Sequence, residues 1–183
     1  MSFHPTTQRL ILRAPTMTDM KVFVRLIGNY EVAKNLGPVP HPYNDTLFRE
    51  FLVNADAQRR DGTDYNMAVT RAMDGAFLGM VSVHRHVTDP TVELGYWYGR
   101  SYWGQGYATE GARPMLRFAF EDLGVEAVTS GFFVDNPNSG RVLEKLGFSA
   151  VGTKQRYCVS QRSEVTVSRV LLTKEQFARK KAA

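Results

Sequence analysis

Arg100-Ser101-Tyr102-Trp103-Gly104-Gln105-Gly106-Tyr107-Ala108-Thr109-Glu110 joins a short alternating apolar segment to a long amphipathic one. Residues 91–98 ahead of it read as a strand. Behind it, Ala108, Ala112, Met115, Leu116, Ala119, Phe120 and Leu123 recur at helical spacing over residues 107–123, and Gly124 closes the run. A further strand follows at 127–134. A strand, a helix and a strand of these lengths imply parallel neighbours joined by a right-handed crossover. The first turn of a helix leaves about four backbone N–H groups without partners, and these carry a partial positive charge. Glycines let a ligand approach the backbone closely, so the turn is an anion cradle suited to a pyrophosphate. The phosphate loop with a Gly-Lys-Ser/Thr ending is absent. The dinucleotide pattern Gly-x-Gly-x-x-Gly finds Thr109 at its third glycine, with Gly111 two places late. Asp135 does end the next strand, so nucleotide binding stays open at this point, as does a purely structural turn.

Outward from the turn, residues 8–14 predict a first strand ended by Pro15. Thr16 or Thr18 caps a helix striped by Met20, Phe23, Val24 and Ile27. Gly37-Pro38-Val39-Pro40-His41-Pro42 must be loop, because proline fixes φ and removes donors. Asp45 or Thr46 then caps a helix carrying Leu47, Phe48, Phe51, Leu52 and Ala55, stopped at Asp61-Gly62. Residues 65–72 and 77–87 flank Asp74-Gly75, a hairpin signal. Thr88-Asp89-Pro90 predicts another turn. Beyond residue 134, a short helix over 137–146 ends at Gly147, an antiparallel pair spans 148–157 and 164–172, and a last helix starts near Thr173. The expected architecture is one α/β domain over residues 1–183. It has a single mixed, mostly antiparallel sheet of about seven strands and helices on both faces.

The 183 residues suffice for one core, burying about 70% of the unfolded chain's surface. The net charge of +5 is scattered apart from Arg179-Lys180-Lys181, with no basic stripe of the kind nucleic acid needs. One cysteine, Cys158, excludes an intramolecular disulfide. His84 and His86 share a strand face, but no other Cys/His group completes a metal set, so no metal is expected. No signal peptide and no membrane-length apolar run are present, so a cytoplasmic location is expected.

Residues 103–110 resemble the acetyl-CoA pyrophosphate loop of the GNAT superfamily, usually Gln/Arg-x-x-Gly-x-Gly/Ala. Ser101 occupies the Gln/Arg position here, with Arg100 one place earlier as a substitute. Asn136-Pro137-Asn138-Ser139 and residues 141–148 (Arg-Val-Leu-Glu-Lys-Leu-Gly-Phe) resemble the second block of that superfamily. The strand Glu93-Leu94-Gly95-Tyr96-Trp97 and the opening residues 7–13 resemble the branch that acetylates ribosomal-protein N-termini and other amines. Pro114, inside the long helix, departs from the pattern. The resemblance implies the GNAT fold, with the central parallel pair splayed at one end. It implies acetyl-CoA as acyl donor and a primary amine as acceptor, in a monomer or homodimer, with no nucleic-acid or membrane partner. A non-catalytic acyl-CoA-binding regulator is the alternative.

The implied coenzyme contacts are Leu94, Trp97, Tyr98, Arg100, Trp103, Gly104, Gln105, Gly106, Tyr107, Ala108, Thr109, Asn136 and Ser139. The pantetheine would run beside residues 94–98, with a backbone N–H near Tyr96 polarising the thioester carbonyl. Ser139 would stabilise or protonate the leaving thiolate, or is a surface serine. Asn136 would bond the pantetheine, or caps its helix. Glu93 would be the general base, or makes a cross-strand pair with Arg or Lys. The acceptor pocket would lie between residues 37–44 and the turn at 157–163.

Overall fold

The computed structural model describes residues 4–85 and 90–182. The expected turn at Thr88 and Asp89, the end of the 77–87 strand, and His86 lie outside the described residues. Seven strands form one sheet in the order β1-β2-β3-β4-β5-β7-β6. They are β1 (Leu10–Arg13), β2 (Asp64–Arg71), β3 (Phe77–Arg85), β4 (Val92–Tyr98), β5 (Ala127–Phe133), β6 (Ser149–Cys158) and β7 (Ser163–Thr173). Every neighbouring pair is antiparallel except β4 and β5. The helices are α1 (Met20–Ile27), α2 (Tyr30–Ala33), α3 (Asp45–Asp61), α4 (Tyr107–Arg117), α5 (Pro137–Leu146) and α6 (Lys174–Ala182).

Alternation along the strands divides the core in two. On one face, Leu10, Leu12, Met67, Val69, Val81, Val83, Val92, Leu94, Tyr98 and Val128 pack against Ala112, Met115, Leu116, Leu143 and Leu146 of α4 and α5. On the other, Ala68, Phe77 and Met80 meet Phe23 and Ile27 of α1 and Phe48 of α3. Phe23 sits centrally there, 4.8 Å from the Phe48 ring and 5.0 Å from Trp97, both edge-on. Edge-on aromatic pairs add about 1 kcal/mol each to the area they bury.

Three sequence expectations shift in the structure. The cap of α3 is Asn44, whose side chain accepts the Leu47 N–H at 3.0 Å, rather than Asp45 or Thr46. Asn44 precedes them with extended backbone, which a cap requires. Helix α2 was not anticipated; its four residues are too few to show a period, and Asn29 caps it. The helix expected over 107–123 runs through Pro114 to Arg117 and continues as a π-helical turn, Phe118–Asp122. Among the described residues no helix is long and apolar enough to cross a membrane.

Candidate active site

The parallel pair β4–β5 holds register only at Val92↔Val128 and Glu93↔Thr129. One threonine and one serine hydroxyl bridge the two strands at this pairing and just beyond it. Thr129 Oγ1 donates to the Val92 carbonyl at 3.2 Å, and buried Ser130 Oγ donates to the Leu94 carbonyl at 2.8 Å. The Leu94 carbonyl therefore points toward β5. Backbone polar groups of alternate residues share an edge, so the Tyr96 N–H and carbonyl point the same way, into the gap beyond the last pair. A polar backbone edge facing a gap invites an extended ligand that can bond to it.

Helix α5 forms the far wall of the gap. Tyr96 reaches across, and its hydroxyl lies 2.9 Å from Ser139 Oγ and donates to the Ser139 carbonyl at 3.2 Å. Burial, partly offset by the hydrogen bond to Ser139, pushes the Tyr96 phenol up to about 12. It is thus a neutral donor at physiological pH. The Asn136 side chain accepts the Ser139 N–H at 3.4 Å, so the capping role is present, though long.

At the mouth of the gap, the chain turns through a 3₁₀ segment, Arg100–Tyr102, into α4. Gly104 and Gly106 sit at φ 74° and 81°, where a side chain is strained. A methyl group at Gly104 would meet nothing within 4 Å, so that backbone is open to a ligand. The first helical bond of α4 runs from Glu110 N–H to the Gly106 carbonyl at 3.0 Å. The amides of Tyr107, Ala108 and Thr109 precede it, and no side chain caps them. The turn is stiffened from behind. Trp103 Nε1 donates to the Tyr98 carbonyl at 2.7 Å, Gln105 Nε2 to the Ser101 carbonyl at 2.9 Å, and the Arg100 guanidinium stacks 4.7 Å above Trp103. Gly111, which spoiled the dinucleotide pattern, has a packing reason. A methyl group there would lie 2.5 Å from the hydroxyl of buried Tyr98, which itself donates to the Tyr107 carbonyl.

Other groups at this mouth were not visible in the sequence. The Arg9 guanidinium stacks 4.6 Å above the Tyr107 ring and pairs with Glu110 at 2.6 Å. A groove of about 650 Å³ leads from Gly106 along α4, with Arg113, Arg117, Lys145 and Lys180 among its lining residues. Those cations come from α4, α5 and α6, so no single segment displays them as a cluster.

On the opposite face of β4 stand Glu93, Gly95 and Trp97. The register partner of Glu93 on β3 is His84, and Thr129 is its neighbour on β5. Trp97 points into the α1–α3 core, away from the gap, so its side chain is structural. Both segments expected to bound an acceptor pocket come together on this side. The Val159 N–H donates to the Gly37 carbonyl at 2.9 Å, Ser160 Oγ to the Ala33 carbonyl at 2.9 Å, and Gln161 Nε2 to the Lys34 carbonyl at 2.7 Å. The β6–β7 turn thereby latches onto the end of α2. Among the described residues no cluster of three His, Cys, Asp or Glu side chains could hold a metal ion.

The chain is similar to known proteins in sequence and in fold. The chain is 30% identical over 114 residues to "Putative ribosomal N-acetyltransferase YdaF" of Bacillus subtilis, a match spanning 61% of each protein. It is 30% identical over 154 residues to "Probable N-acetyltransferase YjcK" of the same organism, covering 74% of this chain and 84% of that one. The solved structure of RimJ from Mycobacterium smegmatis, in complex with CoA-disulfide, superposes with a TM-score of 0.81. Its identity is 20%, and the superposition covers 94% of this chain and 88% of that one. Residues 9–149 match the Acetyltransferase (GNAT) domain, with β4, β5, the bare α4 start and α5 all inside the match, and the chain therefore belongs to the GNAT acetyltransferase family.

Proposed function

We propose that residues 1–183 act as a single domain that transfers the acetyl group of acetyl-CoA to a primary amine by direct attack on the thioester. The amine would belong to a peptide or protein N-terminus or to a small molecule. The observation that carries this reading is the bare N-terminus of α4, with Gly104 and Gly106 at positive φ, set beside a gap into which the Tyr96 backbone points. Amides of Gln105, Gly106, Tyr107 and Ala108 would hold the coenzyme diphosphate. Arg113, Lys145 and their basic neighbours along the groove would take the 3′-phosphoadenosine end. The pantetheine would lie against Leu94, Tyr96 and Tyr98 of β4, with the Asn136 amide on its other side.

The chemistry then follows from the two walls of the gap. The Tyr96 N–H, a fixed dipole, stabilises the oxyanion as the amine adds to the thioester carbon. The C–S bond breaks, and the Tyr96–Ser139 hydroxyl pair, 2.9 Å apart, steadies the departing thiolate by hydrogen bonding while its proton comes from water. A thiolate is already a fair leaving group, the ordinary thiol pKa being about 8.5, so this contact assists rather than permits the step. Glu93, facing the acceptor side, favours loss of the ammonium proton.

Three measurements test the reading. Acetyl-CoA should bind the full chain in a calorimetric titration, and free CoA thiol should appear when amines from polyamines to short peptides are screened. Glu93→Gln should lower turnover at neutral pH by about 100-fold with acetyl-CoA affinity unchanged. Binding without thiol release from any amine would instead favour a regulatory acyl-CoA binder.

A further inference from the structure

Where β4 and β5 part, the face of the sheet opposite α4 carries a row of polar side chains of which the steps above use only Glu93. Asp64, His84, Glu93 and Thr129 stand side by side on β2, β3, β4 and β5. Three groups in this region form a hydrogen-bonded chain. Asp64 Oδ2 lies 3.2 Å from His84 Nδ1, and His84 Nε2 lies 2.7 Å from Ser82 Oγ. The Asp64 carboxylate can only accept, so in the neutral imidazole Nδ1 carries the proton and Nε2 presents its lone pair to the Ser82 hydroxyl, whose other acceptor, the Gly95 carbonyl, is farther away at 3.4 Å. Ser82 is buried, at 8% exposure, and its cross-strand neighbour is Gly95. A methyl group at Gly95 would lie 3.0 Å from Ser82 Oγ and 3.4 Å from His84 Nε2. The Ser82 approach is closer than a side chain readily tolerates, so glycine lets the Ser82–His84 pair lie directly against β4. Gly95 sits one residue before Tyr96, whose N–H faces the gap.

We propose that the Asp64–His84–Ser82 chain takes up the proton of the acceptor amine as it attacks over Gly95. This rests on the acetyltransferase reading. The ammonium proton passes to Ser82 Oγ; the freed nitrogen lone pair forms the C–N bond as the C–S pair leaves on sulfur, and the second N–H proton of the adduct goes to water. The Ser82 proton passes to His84 Nε2. The imidazolium is held by Asp64 and gives its proton to water at the exposed edge of His84, whose side chain is 37% exposed. The thiolate is protonated separately, so proton and charge balance without a covalent enzyme intermediate. Asp64 is a positioning residue, fixing the tautomer. The titratable groups facing His84 among the described residues are Asp64 on β2 and Glu93 on β4.

The test uses the full chain, acetyl-CoA, and two probe amines read by thiol release: ethylamine, protonated at neutral pH, and hydroxylamine, largely unprotonated. His84→Gln and Ser82→Ala should each cut the ethylamine rate by about 100-fold while changing the hydroxylamine rate by less than about threefold, with acetyl-CoA affinity kept. Equal losses with both amines would mark the chain as merely structural and overturn the proposal, as would no loss with either. A readout free of turnover stands beside it. Nitrogen NMR of the CoA-saturated chain should show His84 as the Nδ1–H tautomer. The Nε2–H tautomer leaves no lone pair toward Ser82 and overturns the relay, and so does an acetylated Ser82 found by mass spectrometry. A native chain that fails to bind acetyl-CoA sinks the acetyltransferase reading itself. Normal binding with the wrong tautomer sinks only the relay.

Discussion

The starts of α3 and α4 solve one physical problem in opposite ways. Each helix exposes N–H groups that its own turns cannot satisfy. At α3, Asn44 folds its side chain back onto the Leu47 N–H, and the end is closed. Asn29 does the same for α2. At α4 the cap position is Gly106, which has no side chain to offer and sits at φ 81°, where most side chains would be strained. The α3 end is finished by the protein, whereas the α4 end is left for something else to finish. Helix α5 lies between the two cases. It is capped by Asn136, but at 3.4 Å, with the Ser139 it caps drawn into a second bond with Tyr96.

The sharpest way to break this comparison is to fill the bare end. Gly106→Glu adds strain at positive φ and puts a carboxylate where the diphosphate is expected. Acetyl-CoA affinity should fall by at least about 100-fold, since each 1.4 kcal/mol is a factor of ten and both effects exceed that. Circular dichroism should show the fold retained. Unchanged affinity would mean that the amides of α4 are not the phosphate site.

Next in size is the groove that continues from the same end. Arg113→Glu replaces a cation with an anion on the expected path of the 3′-phosphate. Affinity for CoA should drop about tenfold, and affinity for dephospho-CoA much less, because only the former carries the group concerned. Equal losses for the two ligands would place the 3′-phosphate elsewhere.

Asparagine-to-alanine changes then compare the closed and intermediate ends directly. Asn44→Ala should cost about 1 kcal/mol of stability in denaturant unfolding and leave acetyl-CoA affinity untouched. Asn136→Ala should cost no more stability, its cap bond being longer, yet weaken acetyl-CoA several-fold. A pure stability loss at both positions would make Asn136 an ordinary cap.

These contrasts also show how far the sequence could be read. Helix α5 was legible to its end residues, because Asn136-Pro137 starts it and Gly147 stops it with local chemistry alone. The α4 cradle was legible for the same reason. The splay was expected only through family resemblance, since strand divergence depends on Thr129 and Ser130 meeting β4 carbonyls across 36 or 37 residues. The Asp64–His84–Ser82 chain was out of reach. The Asp74-Gly75 turn suggests the hairpin, but a bulge between Val69 and Thr70 shifts the register by one. Without that bulge Asp64 would stand opposite Val83 and on the other face from His84. The basic groove was hidden because its cations are spread over three helices.

The smallest effect concerns the one acidic side chain in the first turn of α4. Glu110 would compete with a bound diphosphate for the same helix dipole were it turned toward the amides. Instead Thr7 Oγ1 donates to it at 2.6 Å, the Arg9 backbone N–H at 2.9 Å and Arg9 Nε at 2.7 Å. Burial opposes its ionisation, but the bonds from Thr7 and Arg9 outweigh it and hold the carboxyl below the usual glutamate range. A lowered folded-state pKa means stability that is complete above the unfolded value, about 4.3, and fades as pH falls through the lower folded value. Glu110→Gln should therefore be less stable than the native chain by about 1 kcal/mol at neutral pH, half-exposed Arg9 limiting the gain. The gap between the two should close on acidification below that range. A difference that persists undiminished in acid would show that Glu110 stabilises by packing rather than by charge, and that β1 is not electrostatically tied to the open end of α4.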